Sequence, residues 1–321
     1  MRRAFLTILA TVGGLVLFAY AVQRAGGFDE VVAGVGRVGW GLVPILIVAG
    51  LRFALRAECW RRCMAPDTRM AFGRAFTAYV SGDAIGNLTP LGLAASEPTK
   101  IFLIRHQLAT REAAASLAVD LLVYALSAVA VIVTGLVVLL VTVPSLPTVA
   151  RQAGLAAIVA IVVAVPLALR LLRGTWGAER GMRPAWRARL ASLRESILQS
   201  SAAGHPARLW RVFLLHLGFH ALAVAEVMLT LGLLRGEWPT LAQGVIFSAL
   251  DRAVIVAFKF IPFRIGVDEA SSGVLSALLY LDGMTGVQLA VVKKVRSLAW
   301  TGIGLLLIAL QRRPAGAGAE S

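Results

Sequence analysis

The chain has 321 residues, of which 58% are hydrophobic and 15% charged, with a mean hydropathy of +0.79 and a formal charge of +15. A water-soluble domain of this length carries far more charge, so that class is excluded and an all-α, polytopic membrane helix bundle is expected. Continuous rather than alternating apolar runs argue against a β-barrel. The positive charge is almost all Arg and comes without aromatic stacking platforms or Gly-rich RNA motifs. It reads as topology-setting charge on short cytoplasmic loops, not as a nucleic-acid surface.

After Met1-Arg2-Arg3, an apolar run from Ala4 to Val22 with no clear small-residue cleavage site predicts a retained first span. A short loop with Asp29 and Glu30 follows, then span 2 from Gly39 to Leu55. The next loop, with Arg56, Arg61, Arg62, Arg69 and Arg74, is expected in the cytoplasm. Cys59 and Cys63 fall in it. Neither a disulfide nor a metal is expected there, since further ligands are missing nearby in sequence, and no cofactor is implied.

Ala71 to Arg111 is interrupted by Ser81-Gly82-Asp83-Ala84-Ile85-Gly86-Asn87-Leu88-Thr89-Pro90-Leu91-Gly92 and is basic at both ends. Two ends on one side cannot belong to a single crossing, so a re-entrant helical hairpin from the cytoplasm is predicted. Spans Glu112 to Val143 and Leu155 to Leu172 follow, joined outside at Pro144–Pro147. The Arg-rich stretch Arg173 to Arg211 reads either as an amphipathic helix on anionic headgroups or as a solvated linker. Span Leu209 to Leu234, a second irregular segment Thr240 to Asp282, and a last span Val287 to Leu310 complete the chain. The expectation is about six full spans plus two re-entrant hairpins in one transmembrane domain, 1–310, with a disordered tail, 311–321. Both termini should be cytoplasmic, in the cytoplasmic (inner) membrane.

The two irregular segments resemble each other. Glu97 lies seven residues after Pro90, and Glu269 seven after Pro262; Gly92 and Gly266 fall between them. Loop charges make the spans before them run in opposite directions. This predicts an inverted repeat of about 38–142 and 209–310, joined by the linker 173–211, with a site where the broken helices meet.

An ionised group at the bilayer centre costs about 2.5–3.5 kcal/mol, so each needs a partner or a wet cavity. The expected substrate-binding set is Arg52, Asn87, Glu97, Lys100, Arg252, Lys259, Arg264 and Glu269. Pro90, Gly92, Pro262 and Gly266 are the expected hinges, and Asp83, Asp251 and Asp268 the expected proton- or ion-coupling groups. Arg56, His216, His220, Glu226, Lys293, Lys294 and Arg296 join them from neighbouring spans. Blander alternatives stand beside these. Glu97 and Glu269 suit helix N-termini as caps. Arg52 and Arg56 suit snorkelling, and His216 and His220 suit interhelical hydrogen bonds. Nucleophile-elbow, phosphate-loop and HExxH motifs are missing.

Gly82 to Gly92, followed by Ser96-Glu97-Pro98-Thr99-Lys100, resembles the first signature of the lysylphosphatidylglycerol synthase transmembrane-region family, the flippase-like membrane proteins. Ile261-Pro262-Phe263-Arg264-Ile265-Gly266-Val267-Asp268-Glu269 resembles its second. The resemblance covers Ala4 to Leu310, and Leu93-Ala94-Ala95 departs from it where more Gly is expected. It implies a stand-alone lipid transporter, without the aminoacyl-transferase domain of some members, that moves an anionic or polyprenyl/hopanoid-type lipid. The partner is then a membrane lipid with an anionic headgroup; a homo-oligomer is compatible. A membrane-bound transferase acting on a polyprenyl phosphate or phospholipid, through Asp83 or Glu97, is the alternative to a non-enzymatic role. A scaffold is the third.

Overall fold

The computed structural model describes residues 23, 28–65, 68, 70–89, 92–173, 191, 195, 206–258 and 264–311. Among them are helices and turns and no strand. The helices are α1 Phe28–Val38, α2 Leu42–Cys63, α3 Phe72–Leu88, α4 Gly92–Ile104, α5 Thr110–Thr142, α6 Thr148–Arg173, α7 Pro206–Arg235, α8 Leu241–Ala257, α9 Val267–Leu278 and α10 Gly283–Gln311. The first predicted span, Lys259, Pro90, Pro262, nearly all of the 173–205 linker and the tail lie outside the described residues.

Among the described residues, four segments are long and apolar enough to cross a membrane: Val32–Cys63, Thr110–Thr142, Thr148–Arg170 and Pro206–Arg235. α10 is 29 residues long but carries Lys293, Lys294 and Arg296 along its length. α6 shows most directly what surrounds the bundle. Val149, Leu155, Val159, Val162 and Val163 on it are all exposed. An apolar face of that extent suits acyl chains rather than water.

Two sequence expectations are corrected. Asp29 and Glu30 begin a helix, α1, rather than sit in a loop. Arg56, Cys59, Arg61, Arg62 and Cys63 also belong to a helix, because α2 continues well past Leu55. Glu58 holds Arg61 and Arg62 one turn on, each at 2.7 Å, and such pairs support a helix end. On the opposite face Ala57 and Trp60 are fully buried against Tyr79, Ala113 and Leu117, and the Trp60 indole donates to Ser116 Oγ at 3.1 Å. Burial outweighs the basic composition that suggested a loop.

α2 and α7 pack against each other in opposite directions. Gly41 meets Leu233 at one end, and Arg208 donates to the Met64 carbonyl at the other, 2.7 Å. Two further pairings mirror each other. α5 takes Ala249 of α8 at Gly135, and α10 takes Val80 and Ala84 of α3 at Gly304.

The short helices form two hairpins. α3 and α4 have 17 and 13 residues, or about 26 and 20 Å, less than the roughly 30 Å of a hydrocarbon core. Their outer ends, Ala71, Arg74, Gln107 and Ala109, line one cleft beside the end of α2. The start of α8 meets the end of α9 where Gln243 donates to the Leu279 carbonyl at 3.2 Å. Tyr280 there touches Ser145, in the turn after α5. The outer ends of α3 and α4 thus lie near the start of α5, and the meeting of α8 and α9 lies near its end.

Close approach in the first hairpin depends on glycine. A Cβ on Gly86 would stand 2.9 Å from the Gly92 carbonyl oxygen and 2.9 Å from Ser96 Cβ. Gly86→Ala is expected to cost about 1–3 kcal/mol through overpacking, read as a lower thermal unfolding midpoint in detergent. An unchanged midpoint would mean the hairpin yields freely.

Candidate functional site

Arg56 is the hub of the buried polar groups. It forms an ion pair with Asp120 of α5 at 3.3 Å and donates to Tyr79 Oη of α3 at 2.6 Å. Its Nη1 lies 3.2 Å from His216 Nδ1 of α7. A guanidinium only donates, so Nδ1 accepts and the neutral ring carries its proton on Nε2. That nitrogen faces Asp120 Oδ1 at 3.1 Å, which completes a consistent chain. The guanidinium also lies 4.0 Å from the Tyr124 ring centre.

Around Phe219 of α7, three guanidinium groups converge. Arg52 lies 4.7 Å from the ring centre, Arg252 5.4 Å and Arg56 6.0 Å. Each is attracted by the electron-rich face. Glu226 serves both Arg52 and Arg296, the latter at 2.8 Å. Arg252 is only 6% exposed. It donates to Tyr124 Oη at 2.8 Å and pairs with no carboxylate among the described residues. Nε of Arg52 and Nε of Arg252 are buried without a hydrogen-bond acceptor among those residues. Local positive charge therefore exceeds negative charge here.

Lys100, 2% exposed, pairs with Glu97 at 2.9 Å on α4 and sits 3.8 Å from the Tyr79 ring centre. Tyr79, Arg56 and Tyr124 thus connect Lys100 with Arg252. Sequence distance hides this link entirely.

The remaining expected residues gather at α10. The α9 N-terminus begins at Gly266, whose φ of +83° suits glycine alone. Its N–H donates to the Glu269 carboxylate at 2.8 Å, so Glu269 does cap its helix. The same carboxylate pairs with Lys294 of α10 at 2.8 Å. Asp268 joins Arg264 at 3.0 Å and Lys294 at 3.4 Å, and Asp251 pairs with Lys293 at 2.5 Å. From the other hairpin, Asn87 donates to Thr301 of α10 at 3.2 Å and approaches Asp83 at 3.4 Å. Lys294 and Thr301 are seven residues apart, about 10 Å or two turns of helix, so α3 and α9 both contact α10 within that stretch. Glu97 and Glu269 do not share a partner. Glu97 is also deeper in its helix than expected, five residues past Gly92.

Asp120, Tyr79, Tyr124 and Phe219 were absent from the expected set. Asp120 was visible as an ionisable residue within an apolar run, whereas nothing local marks the rings as a platform. Cys59, Asp120 and His216 are buried and within 4.8 Å of one another, an approach not seen in the sequence. Arg56 contacts both Asp120 and His216 and supplies the positive charge there, so we do not assign these three as metal ligands.

The chain matches the lysylphosphatidylglycerol synthase TM region family over residues 6–310. It belongs to that family. Neither a curated protein nor a solved structure matches it. The family, the long apolar helices and the lipid-suited face of α6 make this chain a membrane protein, and the family suggests a role in lipid synthesis or a flippase-like one.

Proposed function

We propose that this protein translocates a lipid with an anionic headgroup across the cytoplasmic membrane, with both termini inside. The headgroup is held by Arg52 and Arg252 at Phe219, with Lys100 and Asn87 on the side of the first hairpin and Arg264 on that of the second. The carrying observation is the pair of buried Nε–H groups on Arg52 and Arg252 that find no acceptor among the described residues. Such donors cost free energy until an acceptor arrives, and a phosphate offers several oxygens in matching geometry.

The hairpins supply the movement. Both consist of helices too short to span, have their outer ends near opposite ends of α5 and touch α10 near each other, which supports an inverted repeat of 38–142 and 209–310 that rocks about its centre. Gly92 and Gly266, with Pro90 and Pro262, serve as hinges. Glu97 and Glu269 hold Lys100 and Lys294 in position, while Asp83, Asp251 and Asp268 are the coupling carboxylates.

The test is translocation of acyl-labelled phosphatidylglycerol in proteoliposomes, read by dithionite bleaching of the outer leaflet. Wild type should exceed protein-free vesicles. Glu97→Gln and Glu269→Gln should each lose more than about tenfold, the worth of one charge-assisted hydrogen bond, at unchanged expression. Wild-type rates in both variants would remove these carboxylates from the mechanism.

A further inference from the structure

His216 has a role that lipid binding alone does not explain. Its Nδ1 accepts from Arg56 and its Nε2–H faces Asp120. The ring is completely buried. A proton on Nδ1 and a hydrogen bond from Arg56 are mutually exclusive, because a guanidinium has only donors. Protonation also raises the charge of the Arg56, Asp120 and His216 group from zero to plus one.

The groups facing His216 decide what balances that charge. α2 presents Arg56 and Cys59, and α5 presents Asp120 and Tyr124. Arg52 of α2 and Arg252 of α8 approach the ring of Phe219, three residues on in α7; Tyr79 of α3 bonds Arg56, and His220 stacks on Tyr124. α10 brings Arg296 only to Glu226, ten residues farther along α7. Asp120 is the one carboxylate among these neighbours of His216, and it already faces Arg56. As long as Arg56 donates to it, His216 Nδ1 serves as an acceptor and carries no proton. An anion at Phe219 reverses this. It draws Arg56 toward itself, replaces the acceptor that Arg56 loses, and offsets the added charge.

We propose that His216 is a proton-binding site coupled to anion occupancy at Phe219, so that the anionic headgroup and a proton bind together. This rests on the lipid-transport reading above and adds the driving ion to it. The balance is simple. One proton from water joins the Nδ1 lone pair, no bond to carbon changes, and the proton leaves when the headgroup leaves. Linkage makes the effect reciprocal, with the anion favouring the proton by the same factor as the proton favours the anion.

The experiment is 15N NMR of histidine-labelled full-length protein in nanodiscs, titrated from pH 8 to pH 5. One sample contains phosphatidylcholine alone and the other contains added phosphatidylglycerol. The four histidines are assigned from His216→Gln and, should that variant fail to fold, from single variants of the other three. At pH 8 His216 should be neutral with Nδ1 unprotonated. Phosphatidylglycerol should raise its titration midpoint by about one pH unit, a tenfold mutual gain. A proton already on Nδ1 at pH 8 overturns the proposal. So does a midpoint unmoved by the lipid; if labelled lipid is still translocated, the transport reading survives that result. A raised midpoint without translocation supports the coupled site and sinks the transport reading instead.

Discussion

Arg252→Gln lowers translocation of phosphatidylglycerol by at least about tenfold while the protein folds and inserts normally. The two halves of this expectation have separate causes. Arg252 has no carboxylate partner among the described residues, so removing its charge leaves no buried anion stranded. Its contact with Tyr124 at 2.8 Å is a hydrogen bond that glutamine can partly replace. Stability therefore changes little. The headgroup, by contrast, loses a charge-assisted donor worth about 1.5–3 kcal/mol, which is tenfold or more in binding. Dithionite bleaching gives the rate, and size-exclusion chromatography of the purified variant gives the folding control. Full activity in a folded Arg252→Gln protein would refute the headgroup site at Phe219.

Asp120→Asn should do the opposite and attack folding first. Asp120 is 0% exposed and faces both Arg56 and His216. Its loss leaves the Arg56 guanidinium buried without a counter-charge, an error of about 3–5 kcal/mol. A membrane domain of ordinary marginal stability tolerates little of that, so yield and thermal midpoint in detergent should both fall sharply. The double variant Arg56→Met with Asp120→Leu should restore much of the stability, because apolar side chains of similar size remove both charges together. It should not restore translocation, since Arg56 belongs to the group at Phe219. A stable Asp120→Asn protein would show that water or another group answers Arg56.

Both outcomes concern residues that sequence reading treated unequally. Arg252 was expected because a cation in an apolar run asks for a reason. Arg56 was assigned to a loop, since a run of arginines after an apolar stretch resembles the end of a span. The helix continues because Glu58 braces Arg61 and Arg62 while Trp60 and Ala57 bury on the other side. Local charge does not reveal which face will be covered. The close approach of α3 and α4 was legible at Gly86 and Gly92, which permit backbone contact. The second irregular segment was legible only in part. Glu269 proved to be both a helix cap and the partner of Lys294, and its spacing from Pro262 foretells the first role alone.

By itself, the sequence determined that this chain is a helical membrane protein with long apolar helices. Those properties follow from hydrophobic length, which acts over a few turns of chain. Only the tertiary structure decided which charges meet. Arg52 reaches Glu226 across 174 residues and Arg56 reaches His216 across 160. No local pattern encodes such pairs, because they depend on which helix faces pack together. The same packing leaves Arg252 without an ion-pair partner among the described residues and turns Phe219 into a platform for three arginines.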